Sequence, residues 1–316
     1  MSFQKGLHEL GRGNYAYLQP DGSWGYSNAG LVIDGEESLL VDTLFDEWLT
    51  AEMLSEMKAN TGIGGADVTT LVNTHANGDH TFGNSLVTNA EIVASTASAQ
   101  EIAEQPPEML AQMVAAAPEM GEVGEYFLHC FSDFDFAGVT LRAPTKTFTG
   151  ELNVSVGDKS VQLIEVGPAH THGDVLVYVP DDRVAYTGDI LFIEGAPIMW
   201  AGPVENWIAA CDLIMSWEVE SIVPGHGPIT DKQGVARVRE YLVYIDQEAR
   251  KRFEAGMSAE EAALDISLGD FDSWGDGERI AVNVATLYRG YAGDDSTPDV
   301  AALFALMAKI FKERRS

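Results

Sequence analysis

Residues 74–80 read Thr-His-Ala-Asn-Gly-Asp-His and follow directly on an apolar, β-branched stretch at 68–74. The run sets His75, Asp79 and His80 within six positions of one another, at the carboxyl end of what reads as a buried strand. Imidazole nitrogens and carboxylate oxygens are donors that suit zinc or iron. Open α/β sheets gather their chemistry at that end of their strands. Such a loop constrains the fold strongly, because later segments must return to the same edge with the remaining ligands.

Three later motifs meet that requirement. Gly167-Pro-Ala-His170-Thr-His-Gly-Asp174, Ala185-Tyr-Thr-Gly-Asp189 and Val223-Pro-Gly-His226 each follow or end an apolar stretch that reads as a strand. Asp42 closes an earlier one, Leu39-Leu-Val-Asp42. Of the 7 histidines, His75, His80, His170 and His226 fall on this frame, leaving His8, His129 and His172. A single histidine is usually an ordinary core or surface residue, and Asp79 or Asp189 alone could be a turn residue. Their weight comes from the order they share.

This ordered set resembles the metallo-β-lactamase fold superfamily of metal hydrolases, over about residues 27–230. The resemblance implies an α/β fold, a four-layered αββα sandwich, with two adjacent metal positions between its sheets. It implies that His75 and His170 bind the first ion, beside Asn77, and that Asp79, His80 and His226 bind the second. Asp189 would bridge the two, with Asp79 and Asp189 as catalytic carboxylates. The implied cofactor is Zn2+, one ion or two, with iron or manganese as alternatives. A divalent ion lowers the pKa of bound water from about 15.7 to near 7, so no Ser or Cys nucleophile is required. Asp42 is expected to orient a ligand rather than to bind metal.

The chain departs from the family's usual His-x-His-x-Asp-His loop at one place: the middle imidazole is Asn77. An amide oxygen is the weaker donor, so the second position is expected to hold metal more tightly. The first is then partly filled, or needs a harder ion such as iron or manganese. His172 lies two residues beyond His170, where many relatives have Pro. It is expected to line the pocket, to donate a proton to the leaving group, to replace the missing imidazole, or to be a surface histidine with no chemistry.

A chain of 316 residues with 46% hydrophobic residues can bury a large core. The expected organisation is one sandwich domain over residues 1–230, with a helical insertion at about 98–138, and a helical extension over 231–316 packed on it. The net charge of −30 argues against nucleic acid as a partner, since neutralising a phosphate backbone needs a basic surface. Two cysteines in dissimilar segments indicate no disulfide framework. No apolar run approaches the roughly 20 residues that span a bilayer, and residues 1–10 lack a signal-peptide core. A cytoplasmic location without membrane contact is the expectation.

Short strands are expected near residues 15–19, 29–33 and 38–42, a helix over 45–60, and a second group of strands from 145 to 187. The methionines of the insertion (Met109, Met113, Met120) read as amphipathic packing. Its Phe-rich turn, Phe127 to Phe136, reads equally as core or as a substrate-facing lid. Beyond His226, helices are expected over 231–253, after a Ser258–Glu261 capping box, over 278–291, and after a Thr297-Pro298 cap. The last helix would cover the substrate groove, form a contact in a homo-oligomer, or simply pack.

The expected reaction is hydrolysis of an acyl bond (lactone, ester, thioester or amide) in a small-molecule substrate. Trp24, Met199 and Trp200 point to an apolar or aromatic one. The alternatives are an iron-dependent oxidoreductase or dioxygenase on the same ligand set, and a binding protein that keeps the metal site.

Overall fold

The computed structural model describes residues 3–315, so Met1 and Ser2 of the N-terminal stretch considered above lie outside it. Its first sheet joins β1 (Gly6–Gly11), β2 (Asn14–Leu18), β3 (Ala29–Asp34), β4 (Glu37–Val41), β5 (Thr70–Val72), β6 (Glu91–Ser95) and β7 (Lys146–Phe148) in that order. The second joins β8 (Glu151–Val156), β9 (Lys159–Glu165), β10 (Val175–Val179), β11 (Val184–Tyr186) and β12 (Ser221–Val223).

Successive side chains of a strand point to opposite faces, and the two inner strands show the consequence. Leu39 and Val41 of β4, and Val175, Val177 and Val179 of β10, meet in one core between the sheets. Leu40 faces away, onto Met53, Leu54 and Met57 of α1 (Glu47–Thr61). Leu176 faces the opposite outer layer, which includes Trp207 and Ile214 of α6 (Val204–Ser216). Helix, sheet, sheet, helix is the expected αββα order. The sheets approach closely at Gly30, where a Cβ would lie 2.3 Å from the Tyr186 ring.

Parallel pairing decides where the chemistry collects. β4, β5, β6 and β7 run parallel to one another, as do β11 and β12. Their carboxyl ends therefore open on one edge, and the loops after β4, β5, β11 and β12 carry Asp42, the 75–80 run, Asp189 and His226. Within the 75–80 run lies the single turn α2 (Gly78–Thr81).

Two readings need correction. β7 belongs to the first sheet, parallel to β6, and not to the second group of strands. The long crossover through α3 (Thr96–Glu104), α4 (Pro107–Ala116) and α5 (Gly121–Phe131) makes that parallel pairing possible. The insertion is helical, as expected, but α4 buries only Pro107 and leaves Met109 56% exposed, so its methionines are not all packing residues. The Phe-rich turn is core: Phe127, Phe131, Phe134 and Phe136 are all buried, with Phe134 and Phe136 each 4.8 Å from the Phe45 ring.

The C-terminal helices are α7 (Lys232–Glu254), α8 (Ala259–Asp265), α9 (Ile280–Ala292) and α10 (Val300–Arg315). Ser258 and Glu261 form the expected capping box. At α10 the cap is Asp299, whose carboxylate accepts from the Ala302 N–H at 3.0 Å, rather than Thr297. These helices share one hydrophobic cluster with α6 and the insertion. Cys130 and Cys211 are free and buried. Among the described residues no helix is long and apolar enough to cross a membrane.

Candidate metal centre

Each histidine of the frame has one ring nitrogen tied down and the other aimed inward. Nδ1 of His80 lies 2.9 Å from Asp42 Oδ2, that of His170 2.6 Å from the Ile198 carbonyl, and that of His226 3.1 Å from the Gly22 carbonyl. For His75 the partner is the Thr74 hydroxyl at 3.0 Å, which itself donates to Asp42 at 2.7 Å and so accepts from the ring. With Nδ1 committed to an acceptor, each Nε2 is left facing the cluster, able to bind a cation once it carries no proton.

The inward atoms converge on Asp189. Its Oδ2 is 3.3 Å from His170 Nε2, 3.5 Å from His226 Nε2 and 3.7 Å from His75 Nε2, and its Oδ1 is 3.1 Å from His80 Nε2. Asp79 Oδ2 is 3.3 Å from His226 Nε2 and 3.8 Å from His80 Nε2. Two overlapping groups could each hold an ion: His75, His80 and Asp189, and Asp79, His80 and His226. The backbone leaves just enough room, since a Cβ at Gly225 would lie 2.0 Å from Asp189 Oδ1.

All six side chains are buried, with His75, His80 and His170 at 0% exposure and Asp79 the most open at 8%. His75 Nε2, His80 Nε2 and Asp189 Oδ1 have no hydrogen-bond partner among the described residues. An orphaned buried polar atom costs roughly 1–3 kcal/mol. A divalent cation bonded to nitrogen and oxygen donors removes that cost, so the residues fit the ion that the family resemblance implies.

The electrostatics divide the cluster into two halves. Burial, and then the neighbouring His80, hold His75 well below the usual imidazole range; burial likewise lowers His170. Burial also opposes charge on His226 and His80, but the carboxylates override it. Asp189 and Asp79 push His226 up to about 9, and Asp189, Asp79 and Asp42 raise His80 well above its ordinary value. Burial pushes Asp189 and Asp79 upward, yet the surrounding imidazoles hold both below the usual carboxylate range.

Asn77 reaches the cluster: its Nδ2 is 3.4 Å from His170 Nε2, and its side chain makes no cap hydrogen bond to α2. His172 does not. Its side chain is 65% exposed and bound to Glu101 at 2.5 Å. It lines a separate cavity of about 770 Å³ with Met199, Trp200, Arg250 and Tyr291, to which none of the six clustered side chains contributes. The loop turns at Gly173, where the Ser95 and Ser98 hydroxyls donate to the carbonyl at 2.7 and 2.8 Å.

Sequence reading missed several supports. Ser27 donates to the Asp79 carbonyl at 2.5 Å, and the Asn28 amide donates to Pro224 and Gly227 carbonyls at 3.0 and 2.8 Å, bracketing His226. Nothing in their local pattern marks them. Thr74 could have been found, since it adjoins His75 within the loop.

Comparison with known proteins bears on the family and the fold. A family model described as the metallo-beta-lactamase superfamily matches residues 22–226. A solved sec-alkylsulfatase from Pseudomonas sp., described as stereoselective and inverting, superposes with a TM-score of 0.68 at 14% identity, over 95% of this chain and 52% of that one. A metallo-beta-lactamase from Pontibacter korlensis gives 0.58 at 19% identity, over 76% of this chain and 99% of that one. These likenesses show the fold. The alpha subunit of 2,4-dinitroanisole O-demethylase from a Nocardioides strain is 30% identical over 92 residues, 26% of either chain. The beta-lactamase-like protein 2 homolog of Caenorhabditis elegans is 25% identical over 115 residues, 36% of this chain and 38% of that one. Both matches thus span well under half of the curated relatives.

Proposed function

The chain belongs to the metallo-β-lactamase superfamily, and from that premise we propose that it is a metal-dependent hydrolase that cleaves an acyl bond of a small molecule. Trp24, Met199 and Trp200, which suggested an apolar or aromatic substrate, lie against Arg279 or in the separate cavity. The observation that carries the reading is the convergence of His75, His80, His170, His226, Asp79 and Asp189, with three of their polar atoms orphaned toward one another. His75 and His170 would hold one ion and Asp79, His80 and His226 the other, with Asp189 between. When bound, a divalent ion brings coordinated water into the neutral pKa range and polarises the bond under attack.

The chain's own groups supply the rest. Asp42 and the backbone carbonyls of Ile198 and Gly22 fix the rings, so little reorganisation remains for the reaction itself. Asp79, ionised and the most open of the six, is placed to take a proton from the attacking water. The deep burial of the cluster favours small substrates, and the net charge of −30 disfavours polyanions.

The amide at position 77, a weaker donor than an imidazole, supports the second half-site as the tighter one. Zinc is the ion we assign to it. The test is elemental analysis of protein from its own host, combined with a panel of chromogenic esters and lactones. Sulfate esters and aryl ethers are included because two similar proteins are named as an alkylsulfatase and an O-demethylase subunit. Colourless zinc protein with ester or lactone turnover, lost in Asp189→Ala and His80→Ala, supports the proposal. Brown iron protein that consumes oxygen with its substrate replaces it by the redox reading, which the weakened first half-site also fits.

A further inference from the structure

Outside residues 22–226, one buried cation reaches back to the metal cluster. Arg279, at the start of α9, is 2% exposed. Its guanidinium carbon lies 4.5 Å from the centroid of Trp24 and 5.2 Å from that of Phe192. Phe192 is in turn stacked on His226, with centroids 5.0 Å apart and planes 3° from parallel. Trp24 belongs to the turn whose Gly22 carbonyl accepts from His226 Nδ1.

The same short segment ties both elements at other points. Arg279 Nη1 donates to the Ala196 carbonyl at 3.0 Å, and Gly275 exchanges backbone hydrogen bonds of 2.9 Å with Ala196 and Glu194. Asp276, paired with Arg279 at 3.1 Å, accepts from the Ser23 hydroxyl at 2.8 Å. Residues 275–279 therefore grip the two structures that fix His226: the ring against its face and the turn against its Nδ1. Burying a guanidinium is costly unless it is paired, and here its carboxylate partner and both rings belong to that grip.

We propose that Arg279 is a positioning residue for His226, holding Phe192 and the Gly22–Trp24 turn so that the imidazole keeps the orientation the tighter half-site needs. The proposal rests on the reading of the cluster as a metal centre. It makes the C-terminal helices part of that centre rather than an appended cover.

The experiment measures zinc affinity of the full chain by competition with a chromogenic chelator, alongside thermal melts and the visible spectrum of the cobalt-loaded protein. Arg279→Met and Phe192→Leu are each expected to weaken the tighter ion by about 10- to 100-fold, the range for losing an outer support. The double variant should lose less than the sum of the two single losses, since both share the Phe192 route to His226. Tyr126→Phe is the control. It deletes the buried hydrogen bond to Glu278 at the same junction, 3.0 Å long, without touching Trp24 or Phe192, and should lower the melt while leaving zinc affinity and the cobalt spectrum unchanged.

Folded Arg279→Met with wild-type affinity overturns the proposal, as does a Tyr126→Phe variant that loses zinc equally. Should Arg279→Met fail to fold, Phe192→Leu decides, and unchanged affinity there overturns it. A wild-type chain that binds no ion sinks the metal reading and this proposal together. Tight binding by the wild type with unaffected variants sinks the proposal alone.

Discussion

Asp42 Oδ2 lies 2.9 Å from Nδ1 of His80, although the two residues come from different strand ends and are 38 positions apart. The same carboxylate takes the Thr74 backbone N–H at 2.7 Å and the Thr74 hydroxyl at 2.7 Å, and so orients His75 at one remove. One buried acid thus sets two rings of the cluster.

Replacing it should weaken the metal, not the fold. Asp42 sits at φ 62, a left-handed conformation that Asn tolerates better than other non-glycine residues. Asp42→Asn keeps the shape but removes the charge that holds the His80 tautomer, and metal affinity is expected to fall about 10- to 100-fold. Chelator competition measures it; unchanged affinity would show that Thr74 and packing suffice to aim the ring.

Asn77→His should act in the opposite direction at the first half-site. The amide already lies 3.4 Å from His170 Nε2, so an imidazole there adds a strong nitrogen donor beside His75 and His170. The expected outcome is a rise in tightly held zinc toward two ions per chain, read by equilibrium dialysis and elemental analysis. A stoichiometry that does not change contradicts the idea that position 77 limits this half-site.

Asp189→Ala removes the group on which both halves converge. Activity should drop by at least about a thousandfold, on the scale of single groups that act on the transition state. Metal binding also stabilises the native state by mass action, about 2.7 kcal/mol at a hundredfold excess over Kd. The wild-type melt should therefore rise with added zinc and fall on chelation, whereas the variant should melt cooperatively with a smaller response to both, since Asp79, His80 and His226 remain. A variant melt that tracks zinc as the wild type does would show that Asp189 contributes nothing to metal binding.

Asp174 provides a pH signature independent of catalysis. Burial pushes its carboxyl up to about 8, against the hydrogen bonds from Thr171 that favour the charged form. The folded state then keeps a proton that the unfolded chain releases near pH 4. Its contribution is fully present below about pH 4 and is lost as pH rises toward 8, with a slope of up to about 1.4 kcal/mol per pH unit. Asp174→Asn, which keeps an acceptor for Thr171 but cannot ionise, should flatten the stability profile between pH 5 and 8 as measured by denaturant unfolding. Parallel profiles would mean that Asp174 is ionised in the native state.

The strand ends and the residues that converge at them were legible because the relevant signals are local. A 75–80 run after a β-branched stretch, a Gly-Asp pair at 188–189 and a Pro-Gly-His at 224–226 each announce a strand entering a tight loop. The helices after residue 230 were equally plain from their spacing and from the Ser258–Glu261 box. Readings that needed a direction in space went astray. His172 looks as close to the site as His170 when counted along the chain, yet the turn at Gly173 sends it outward to Glu101. β7 reads as the start of a second sheet until the length of the crossover is weighed.

Residue type and spacing indicate what chemistry the chain can offer: imidazoles and carboxylates at strand ends can serve as ligands in any fold that brings those ends together. Orientation is another matter. Which Nε2 atoms face Asp189, which carboxylate holds which ring, and how Arg279 comes to press Phe192 on His226 depend on contacts between segments tens to hundreds of positions apart. Those contacts are made by packing two sheets and two helical layers against one another, and no local pattern encodes the angle at which such surfaces meet.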